Sequence, residues 1–280
     1  MNRFEHISYN FCSETGAVRD NNEDVFLSMP DEGVFAVADG MGGASAGEVA
    51  SAMLCDELRK KLSQSVEDSP GLRKYNAHQA IHSANDAILA YAEEHHYSKM
   101  GTTLVLFLLD SWYPDKALLC HVGDSRAYRL RKNELTQLTT DHNIGMMMTP
   151  RRGLFRRRPS EAEERAARLL TRAVGISKQL LPDWRELDIQ PGDWYLLCTD
   201  GLSTMLPDKA IREILKQSNT PEQAVAALRE GILQAGAQDN FTVCCLRVND
   251  SFPPVIEADE EEQKESDYLM GIAEWRKDNA

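Results

Sequence analysis

The sequence predicts an α+β fold in which mixed β-sheets are covered by helices packed outside them. Several short strand-like runs are too continuously apolar to leave one face in water, so their sheets should be covered on both sides. The elements come in the order strands, two helices, strands, two helices and a strand, which differs from the strict alternation of a doubly wound parallel sheet. With 280 residues, 42% of them hydrophobic and 27% charged, the chain can bury a sizeable core.

Six apolar runs predict strands, and four stretches predict helices. The strand-like runs are VFAVAD (34–39), TTLVLFLLD (102–110), KALLCHVGD (116–124), WRELDIQ (184–190), WYLLCTD (194–200) and FTVCCLRV (241–248). The first helix is predicted from Ser45, because Ser45 and Glu48 have the spacing of a capping box and an apolar stripe follows. Further helices are predicted over about 71–94, 207–217 and 221–235, with Pro221 in the first turn of the last one.

Composition predicts one domain over residues 1–250 and an acidic tail over 251–280. Residues 145–172 hold eight arginines against three glutamates, which indicates an excursion from the core with one short helix. From Pro253 onward the chain carries nine acidic and three basic residues, a composition typical of a flexible segment, with a short helix at 267–277.

Charge and cysteine usage exclude several classes of protein. A net charge of −13 argues against a general nucleic-acid binder. The six cysteines form no CxxC pair and lie mostly in apolar segments, as expected of buried free thiols in a reducing compartment. The first residues lack the apolar region of a signal peptide, and the longest apolar run, LVLFLL, is too short to span a membrane. These observations predict a cytoplasmic protein without membrane contact.

The glycine-rich stretch AVADGMGGASAGE (36–48) has the pattern of a phosphate loop, yet an aspartate precedes its glycines. A P-loop is excluded because no lysine occurs before Lys60. A dinucleotide fingerprint is disfavoured because Ser45 stands at its last glycine position and Asp39 would repel a pyrophosphate. A carboxylate beside a phosphate is favourable when a divalent cation lies between them. The glycines are then expected to let the chain turn sharply after a strand.

Other acidic residues also stand at the edges of apolar runs. They are Glu23-Asp24 before VF, Asp124 after LLCHVG, Asp200 after WYLLCT, and Asp239 with Asn240 before FTVCCLRV. Each of them alone has an alternative interpretation as a turn former. Together with Asp39 they favour one metal site at one end of a pair of sheets.

Seven motifs carry a resemblance to a known family. RDNNED, VFAVADGMGG, MGTTLVL, CHVGDSRAYRL, LTRAVG, LLCTDGLS and QDNFTV occur from about Ile7 to Val248. In order and spacing they resemble the metal-dependent protein serine/threonine phosphatases of the PP2C (PPM) family, bacterial stand-alone type. The resemblance implies a four-layer αββα sandwich of two mainly antiparallel β-sheets flanked by helices, with the metal centre between the sheets at one end.

The resemblance also implies metal ligands. Asp39 is similar to the carboxylate that bridges two Mg²⁺ or Mn²⁺ ions, and Gly40 to a carbonyl ligand. Asp200 and Asp239 resemble further ligands of the first metal, and Glu23 resembles the acid that holds the second metal, partly through water.

The remaining site residues are implied in the same way. Asp24 and Asn240 are expected to support the ligands from behind, and Asp124, together with Asp200, resembles the pair that holds a third, weaker metal. Arg19 resembles the arginine that grips the substrate phosphate, since its planar fork can bind two oxygens.

The chemistry that the family implies is hydrolysis without a phosphoenzyme: a metal-bridged hydroxide attacks phosphorus in line. One residue departs from the pattern. Many family members have a histidine directly after Asp-Gly, proposed as the acid for the leaving alcohol, and this chain has Met41, whose thioether cannot donate a proton. His121 and His142 are candidate substitutes, although a lone histidine beside a strand is more often a packed residue.

The basic excursion falls where the family has its variable flap. Its residues Arg156, Arg157 and Arg158 are candidates for recruiting phosphorylated or acidic substrates. The alternative is a solvated basic loop balanced by the acidic tail. The resemblance implies a monomer that acts on phosphoproteins and opposes a Ser/Thr kinase, which in some relatives belongs to a type VI secretion apparatus. A non-catalytic phosphatase-like module that binds phosphoproteins and a metal-dependent phosphodiesterase are the competing hypotheses.

Overall fold

A computed structural model of the chain describes residues 3–42, 46–147 and 169–250. The eleven strands within these ranges are β1 Ile7–Glu14, β2 Asp24–Met29, β3 Val34–Gly42, β4 Met100–Thr102, β5 Leu104–Leu109, β6 Lys116–Val122, β7 Arg126–Arg131, β8 Glu134–Gln137, β9 Asp183–Asp188, β10 Trp194–Cys198 and β11 Phe241–Val248. The α-helices within these ranges are α1 Ala46–Leu62, α2 Pro70–Glu94, α3 Ile144–Met147, α4 Asp200–Ser203, α5 Asp208–Gln217 and α6 Pro221–Gln234.

The strands form two antiparallel sheets. The first sheet has the order β1-β11-β10-β7-β8, and the second has the order β2-β3-β5-β6-β9, with β4 paired to β3. All strand pairs among the described residues are antiparallel.

Three apolar clusters hold four layers together. One cluster lies between α1, α2 and the second sheet, and another lies between α5, α6 and the first sheet. The third cluster lies between the sheets and contains Phe107 and Tyr195, whose ring centroids are 4.9 Å apart. Alternate residues of one strand serve different clusters: in β3, Ala36 faces the helices while Phe35 faces the other sheet. The strands are apolar throughout for this reason, and the predicted αββα sandwich is confirmed.

Helix ends follow from local chemistry. At the start of α2, Ser69 accepts a hydrogen bond from Leu72 N, and Pro70 occupies the first turn. Thr220 accepts a hydrogen bond from Gln223 N at the start of α6 in the same way. The predicted start of the first helix, Ser45, lies outside the described residues. The helix α1 is described from Ala46 onward.

The structure corrects several predicted strands. The run 102–110 is divided between β4 and β5 at Thr103, and residues 199–200 leave β10 for the start of α4. Sequence reasoning missed β1, β2, β7 and β8, which are largely half-buried strands with many polar residues. Of the predicted flap, only its ends, 145–147 and 169–172, are described, and the tail 251–280 lies outside the described residues. The division into a domain of 1–250 and a tail stays a prediction.

In the described ranges no helix combines the length and the apolar character needed to cross a bilayer. All six cysteines are free: Cys12 is half-buried, and the other five are buried.

The packing between the sheets gives a test of the fold. Phe107 is 1% exposed in the middle of the sandwich, so Phe107→Ala should lower the free energy of unfolding by about 3–5 kcal/mol through cavity formation. Phe11→Ala is the matched control, because Phe11 is 45% exposed on β1, and its cost should stay within about 1 kcal/mol. Urea unfolding followed by circular dichroism measures both values. Equal losses for the two variants would contradict the central position of Phe107.

Candidate metal centre

The predicted acidic residues converge because five strand ends meet at one edge of the sandwich. In the second sheet, Asp24 begins β2 and lies directly opposite Asp39 near the end of β3, while Asp124 follows the end of β6. In the first sheet, Asp200 follows the end of β10 and Asp239 precedes β11, two adjacent antiparallel strands. Carboxylates from both sheets therefore face each other across the seam.

Hydroxyl groups fix the backbone at Asp39. Its N–H donates to Thr103 Oγ1 at 2.9 Å, and its carbonyl accepts from Thr103 N at 2.9 Å and from Thr102 Oγ1 at 3.0 Å. Thr103 Oγ1 also lies 2.7 Å from Ser125 Oγ. The strand that carries Asp39 and the loop that carries Asp124 are thus joined through two buried hydroxyls.

A second hydroxyl ties the two sheets together at this edge. Thr199 Oγ1 donates to Asp24 Oδ2 at 2.7 Å and accepts from Thr242 N at 2.9 Å. Asp24 lies in the second sheet, whereas Thr199 directly follows β10 of the first sheet and Thr242 lies in β11. The role of Asp24 behind the metal ligands stays a prediction.

Asn240 supports Glu23 from the first sheet. Its side-chain oxygen accepts from Glu23 N at 2.9 Å, and its amide donates to the carbonyls of Thr15 and Asn21, each at 2.8 Å. The backbone N–H of Asn240 also donates to Asp239 Oδ1 at 2.8 Å. One asparagine therefore organises the segment that carries Glu23, while its role behind metal ligands stays a prediction.

Crowding of negative charge raises the pKa values at this edge. Burial contributes most, and it raises the pKa of Asp39 well above its usual range, with further increases from neighbouring carboxylates. Those neighbours are Asp24, Asp200, Asp124 and Asp239. Burial also raises the pKa of Asp24 and of Asp124 to about 7, and in both cases the charge of Asp200 adds to the effect.

This donor set fits a hard divalent cation. The centre offers carboxylate oxygens from both sheets, the ligand type that Mg²⁺ and Mn²⁺ prefer. Asp24 Oδ1 is buried and makes no hydrogen bond. Mutual repulsion among the carboxylates is relieved when a cation lies between them. The residues present are therefore suited to divalent metal ions.

Arg19 lies at the rim of the centre rather than inside it. Its guanidinium forms a two-point contact with Asp239, with Nε–Oδ1 at 2.8 Å and Nη2–Oδ2 at 2.9 Å, and its side chain is 52% exposed. The hydrogen bond that Arg19 donates to Asp239 and the charge of that carboxylate raise the pKa of Arg19, with smaller contributions from Glu23 and Asp39. Such an exposed pair contributes little stability, so the fork can exchange its partner for an incoming anion at small cost.

Two glycines bring α1 against the end of β3. A Cβ atom at Gly40 would lie 2.1 Å from Gly47 O, and one at Gly47 would lie 2.8 Å from both Gly40 O and Glu23 Cδ. Up to Gly42 the described backbone makes no sharp turn, since β3 continues through Gly42 and pairs there with β4, and residues 43–45 lie outside the described residues. Close approach of two backbones explains these glycines better than a turn.

Met41 and the two candidate histidines differ in position. Met41 is half-buried, and a Cβ atom added at Gly101 would lie 3.0 Å from the Cε of Met41. His121 and His142 are buried and stacked, with ring centroids 4.6 Å apart, and burial lowers both pKa values, that of His142 to about 4. Their rings bond to Thr140, Gly123 and Asp183, which favours packed residues over a general acid.

Sequence reasoning missed the residues that fix the acids. Ser125 and Thr199 adjoin predicted ligands in GDSR and CTDG, while Thr103 in MGTTLVL is 64 residues from Asp39. Their hydroxyl contacts depend on tertiary structure that a pattern does not contain. The candidate recruitment residues Arg156, Arg157 and Arg158 lie outside the described residues, so that role stays a prediction.

Comparison with known proteins decides the family. A family model described as protein phosphatase 2C matches residues 17–234, the greater part of the chain. The chain belongs to the protein phosphatase 2C family. The match spans every predicted ligand except Asp239, which follows it in the sequence.

Three relatives illustrate the similarity. The serine/threonine protein phosphatase PstP of Mycobacterium tuberculosis is 37% identical over 250 residues, which cover 87% of this chain and 45% of the relative, so the chain spans less than half of that protein. A solved structure of the PstP catalytic domain in complex with two manganese ions is 33% identical with a TM-score of 0.74, covering 87% of this chain and 99% of that one. The structure of PppA, a regulatory component of type VI secretion in Pseudomonas aeruginosa, is 32% identical with a TM-score of 0.75, covering 86% and 97%.

The raised pKa of Asp124 predicts a pH-dependent gain in stability for Asp124→Asn in EDTA. In the unfolded chain the Asp124 carboxyl ionises near pH 4, but in the native protein its pKa is about 7. The native state is therefore destabilised relative to the unfolded state as pH rises above 4, and this loss of stability is complete once pH exceeds about 7. Asparagine escapes this cost. The stability of the variant relative to wild type should therefore increase between pH 5 and pH 8 by at least about 1 kcal/mol.

Urea unfolding at pH 5, 6, 7 and 8 measures this difference. Asp56→Asn, at an exposed acid of α1, is the control and should give a flat difference. A difference for Asp124→Asn that does not change with pH would contradict the buried, charge-crowded position of this carboxyl.

Proposed function

We propose that this protein is a metal-dependent phosphatase that removes phosphate from phosphoserine and phosphothreonine in proteins. The observation that carries the proposal is the convergence of carboxylates from both sheets at one edge, in a chain of the protein phosphatase 2C family. Relatives named as serine/threonine phosphatases support the same activity.

Two Mn²⁺ or Mg²⁺ ions are the proposed cofactors. Asp39 would contact both ions, Asp200 and Asp239 the first, and Glu23 the second, with the Gly40 carbonyl as a further ligand. The PstP complex with two manganese ions supports this number and kind of metal. When bound, such ions polarise phosphoryl oxygens and lower the pKa of water.

The chain itself supplies binding and orientation. Arg19, at the rim, would turn its fork from Asp239 to two oxygens of the substrate phosphate and hold phosphorus over the carboxylate edge. Thr103 keeps Asp39 in one backbone position through its N–H and hydroxyl, so the ligand needs no reorganisation. Met41 cannot protonate the leaving alcohol, so this centre works without a side-chain acid at that position.

Asp124 and Asp200 are proposed to hold a third, weaker cation. After burial, the negative charge of Asp200 is the largest cause that raises the pKa of Asp124. Two neighbouring carboxylates that raise each other's pKa favour a shared cation over two uncompensated charges.

The proposed partners are phosphorylated proteins, among them a bacterial Ser/Thr kinase and its targets. We propose that the protein acts on them as a monomer and in the cytoplasm. The role of PppA in type VI secretion belongs to that relative, and a secretion-linked kinase is one partner of this class. Six free cysteines support a reducing compartment.

A non-catalytic phosphoprotein-binding module is the competing proposal. Such a module would be expected to have lost metal-site acids, yet all of the expected ones stand at the sandwich edge. Retention of the complete set favours catalysis.

Phosphate release from a phosphothreonine peptide tests the activity. It should require Mn²⁺, and Asp39→Asn should lower kcat by at least about 100-fold, because the variant loses a charged ligand between two ions. Asp56→Asn on the exposed face of α1 is the control and should keep wild-type activity. Metal binding without release from any phosphopeptide would refute the enzyme and favour the binding module.

The recruitment role of the flap arginines has a separate test. Replacing Arg156, Arg157 and Arg158 with serine should lower kcat/KM for an acidic phosphopeptide several-fold, because charge steering is lost. Turnover of a small aryl phosphate should stay unchanged and serves as the internal control. An unchanged kcat/KM for the peptide would refute recruitment by these arginines and favour the alternative of a solvated basic loop.

A further inference from the structure

The segment Asp141–Asn143, called the clamp below, runs alongside the loop Gly123–Arg126. Three consecutive clamp residues each contact one residue of that loop. Asp124 lies within the loop, so the clamp surrounds a proposed metal ligand without supplying one.

The first contact is a two-point ion pair. Arg126 Nε donates to Asp141 Oδ1 at 2.9 Å, and Arg126 Nη2 donates to Asp141 Oδ2 at 2.7 Å. Asp141 is 8% exposed, and Gln137 Nε2 donates to its Oδ1 at 3.1 Å. A bidentate pair with this degree of burial fixes both partners in one geometry.

The second contact is reciprocal. Gly123 N donates to His142 Nδ1 at 3.1 Å, and His142 N donates to Gly123 O at 2.9 Å. Gly123 has a φ of +103°, and a side chain there would meet Thr103 Cγ2 at 2.6 Å. The loop can take this path only with a glycine, and His142 holds both polar groups of that residue.

The third contact reaches the ligand itself. The side chain of Asn143 donates a hydrogen bond to the carboxylate of Asp124. One oxygen of Asp124 is thereby oriented, as is common for carboxylates that bind metals.

His142 is held in turn by two residues behind it. Because its Nδ1 accepts from Gly123, a neutral ring carries its proton on Nε2, which lies 3.1 Å from Asp183 Oδ2. Arg172 Nη1 donates to Asp183 Oδ1 at 2.6 Å and to Leu181 O at 2.9 Å. Arg172, Asp183 and His142 thus form a chain that ends at Gly123.

The same atoms exclude a separate metal site. His121, His142 and Asp183 have potential ligand atoms within 4.8 Å of one another. Yet Nδ1 of His142 accepts a hydrogen bond and Nε2 carries the proton, so neither nitrogen has a lone pair for a cation. The group serves as a hydrogen-bonded support.

We propose that the clamp positions Asp124 for the third cation that it shares with Asp200. The proposal rests on the metal centre described above and extends it to residues that touch no metal. His142 and Asn143 are positioning residues: one fixes the backbone before Asp124 and the other its carboxylate.

The clamp also joins this site to both described ends of the arginine-rich excursion. Thr171 N donates to His142 O at 2.8 Å, and Ile144 N donates to Leu169 O at 3.0 Å. Arg172 adds its ion pair with Asp183. The third-cation site therefore shares its support with the stems of the excursion.

Equilibrium dialysis of Mn²⁺ against the metal-stripped full-length chain tests the proposal by counting bound ions per chain. The wild type should bind two ions tightly and a third more weakly. His142→Phe keeps the ring stack on His121 but loses the bonds to Gly123 and Asp183. It should weaken the third ion roughly 10- to 100-fold, the usual effect of removing a group that orients a ligand, and leave the two tight ions unchanged.

Two variants separate positioning from general destabilisation. His121→Phe changes the other ring of the same buried stack, whose Nε2 bonds to the backbone of Thr140, and should leave the third ion unchanged. His142→Asn places an amide oxygen near the position of Nδ1, so it should recover most of the affinity. Asn143→Leu, which removes only the donor to Asp124, should resemble His142→Phe and decides the matter if that variant fails to fold.

Three results would overturn the proposal: third-ion affinity within twofold of wild type in both His142→Phe and Asn143→Leu, an equal loss in His121→Phe, or a wild-type chain that binds only two ions. Mn²⁺-dependent hydrolysis of an aryl phosphate, measured alongside, would persist in each case if the two-ion activity is correct. Failure of the clamp and failure of the proposed function are thus distinguishable.

Discussion

Repulsion among buried carboxylates is the constraint on which the functional end of this protein depends. Asp24 is buried, Asp39 and Asp124 are half-buried, and they stand beside Asp200 and Asp239 across the seam of two sheets. Gathering these charges destabilises the fold, because each carboxylate raises the free-energy cost of ionising its neighbours. The arrangement becomes favourable only when cations share the oxygens.

The rest of the sandwich keeps those charges from moving apart. Each central strand is packed on both faces, so the strand ends cannot shift without disturbing two apolar clusters at once. Thr199 then ties Asp24 across the seam, and Thr103 with Ser125 joins the strand of Asp39 to the loop of Asp124. Neutral hydroxyls do this without adding charge, which explains why threonine and serine, rather than lysine or arginine, stand immediately behind the acids.

Much of this arrangement could be predicted from the sequence. Asp39, Asp200 and Asp239 stand at the ends of apolar runs, so a pattern of burial alone indicates that they meet at an edge. The strand β1 could not be found in this way, because Ile7–Glu14 is an edge strand with mostly half-buried positions. Asn143 and Thr199 were missed for another reason: their partners lie 19 and 175 residues away, and no local pattern encodes such contacts.

The six free thiols bear on how the protein would respond to oxidants. Burial raises the pKa of Cys12 to about 11 and those of Cys55 and Cys198 to about 12, so the reactive thiolate is scarce at neutral pH. Peroxide attacks thiolates, and a catalytic centre built from carboxylates offers it none. Phosphatases that rely on a cysteine nucleophile are silenced by such oxidation. The proposed removal of phosphate would therefore continue under conditions that stop those enzymes.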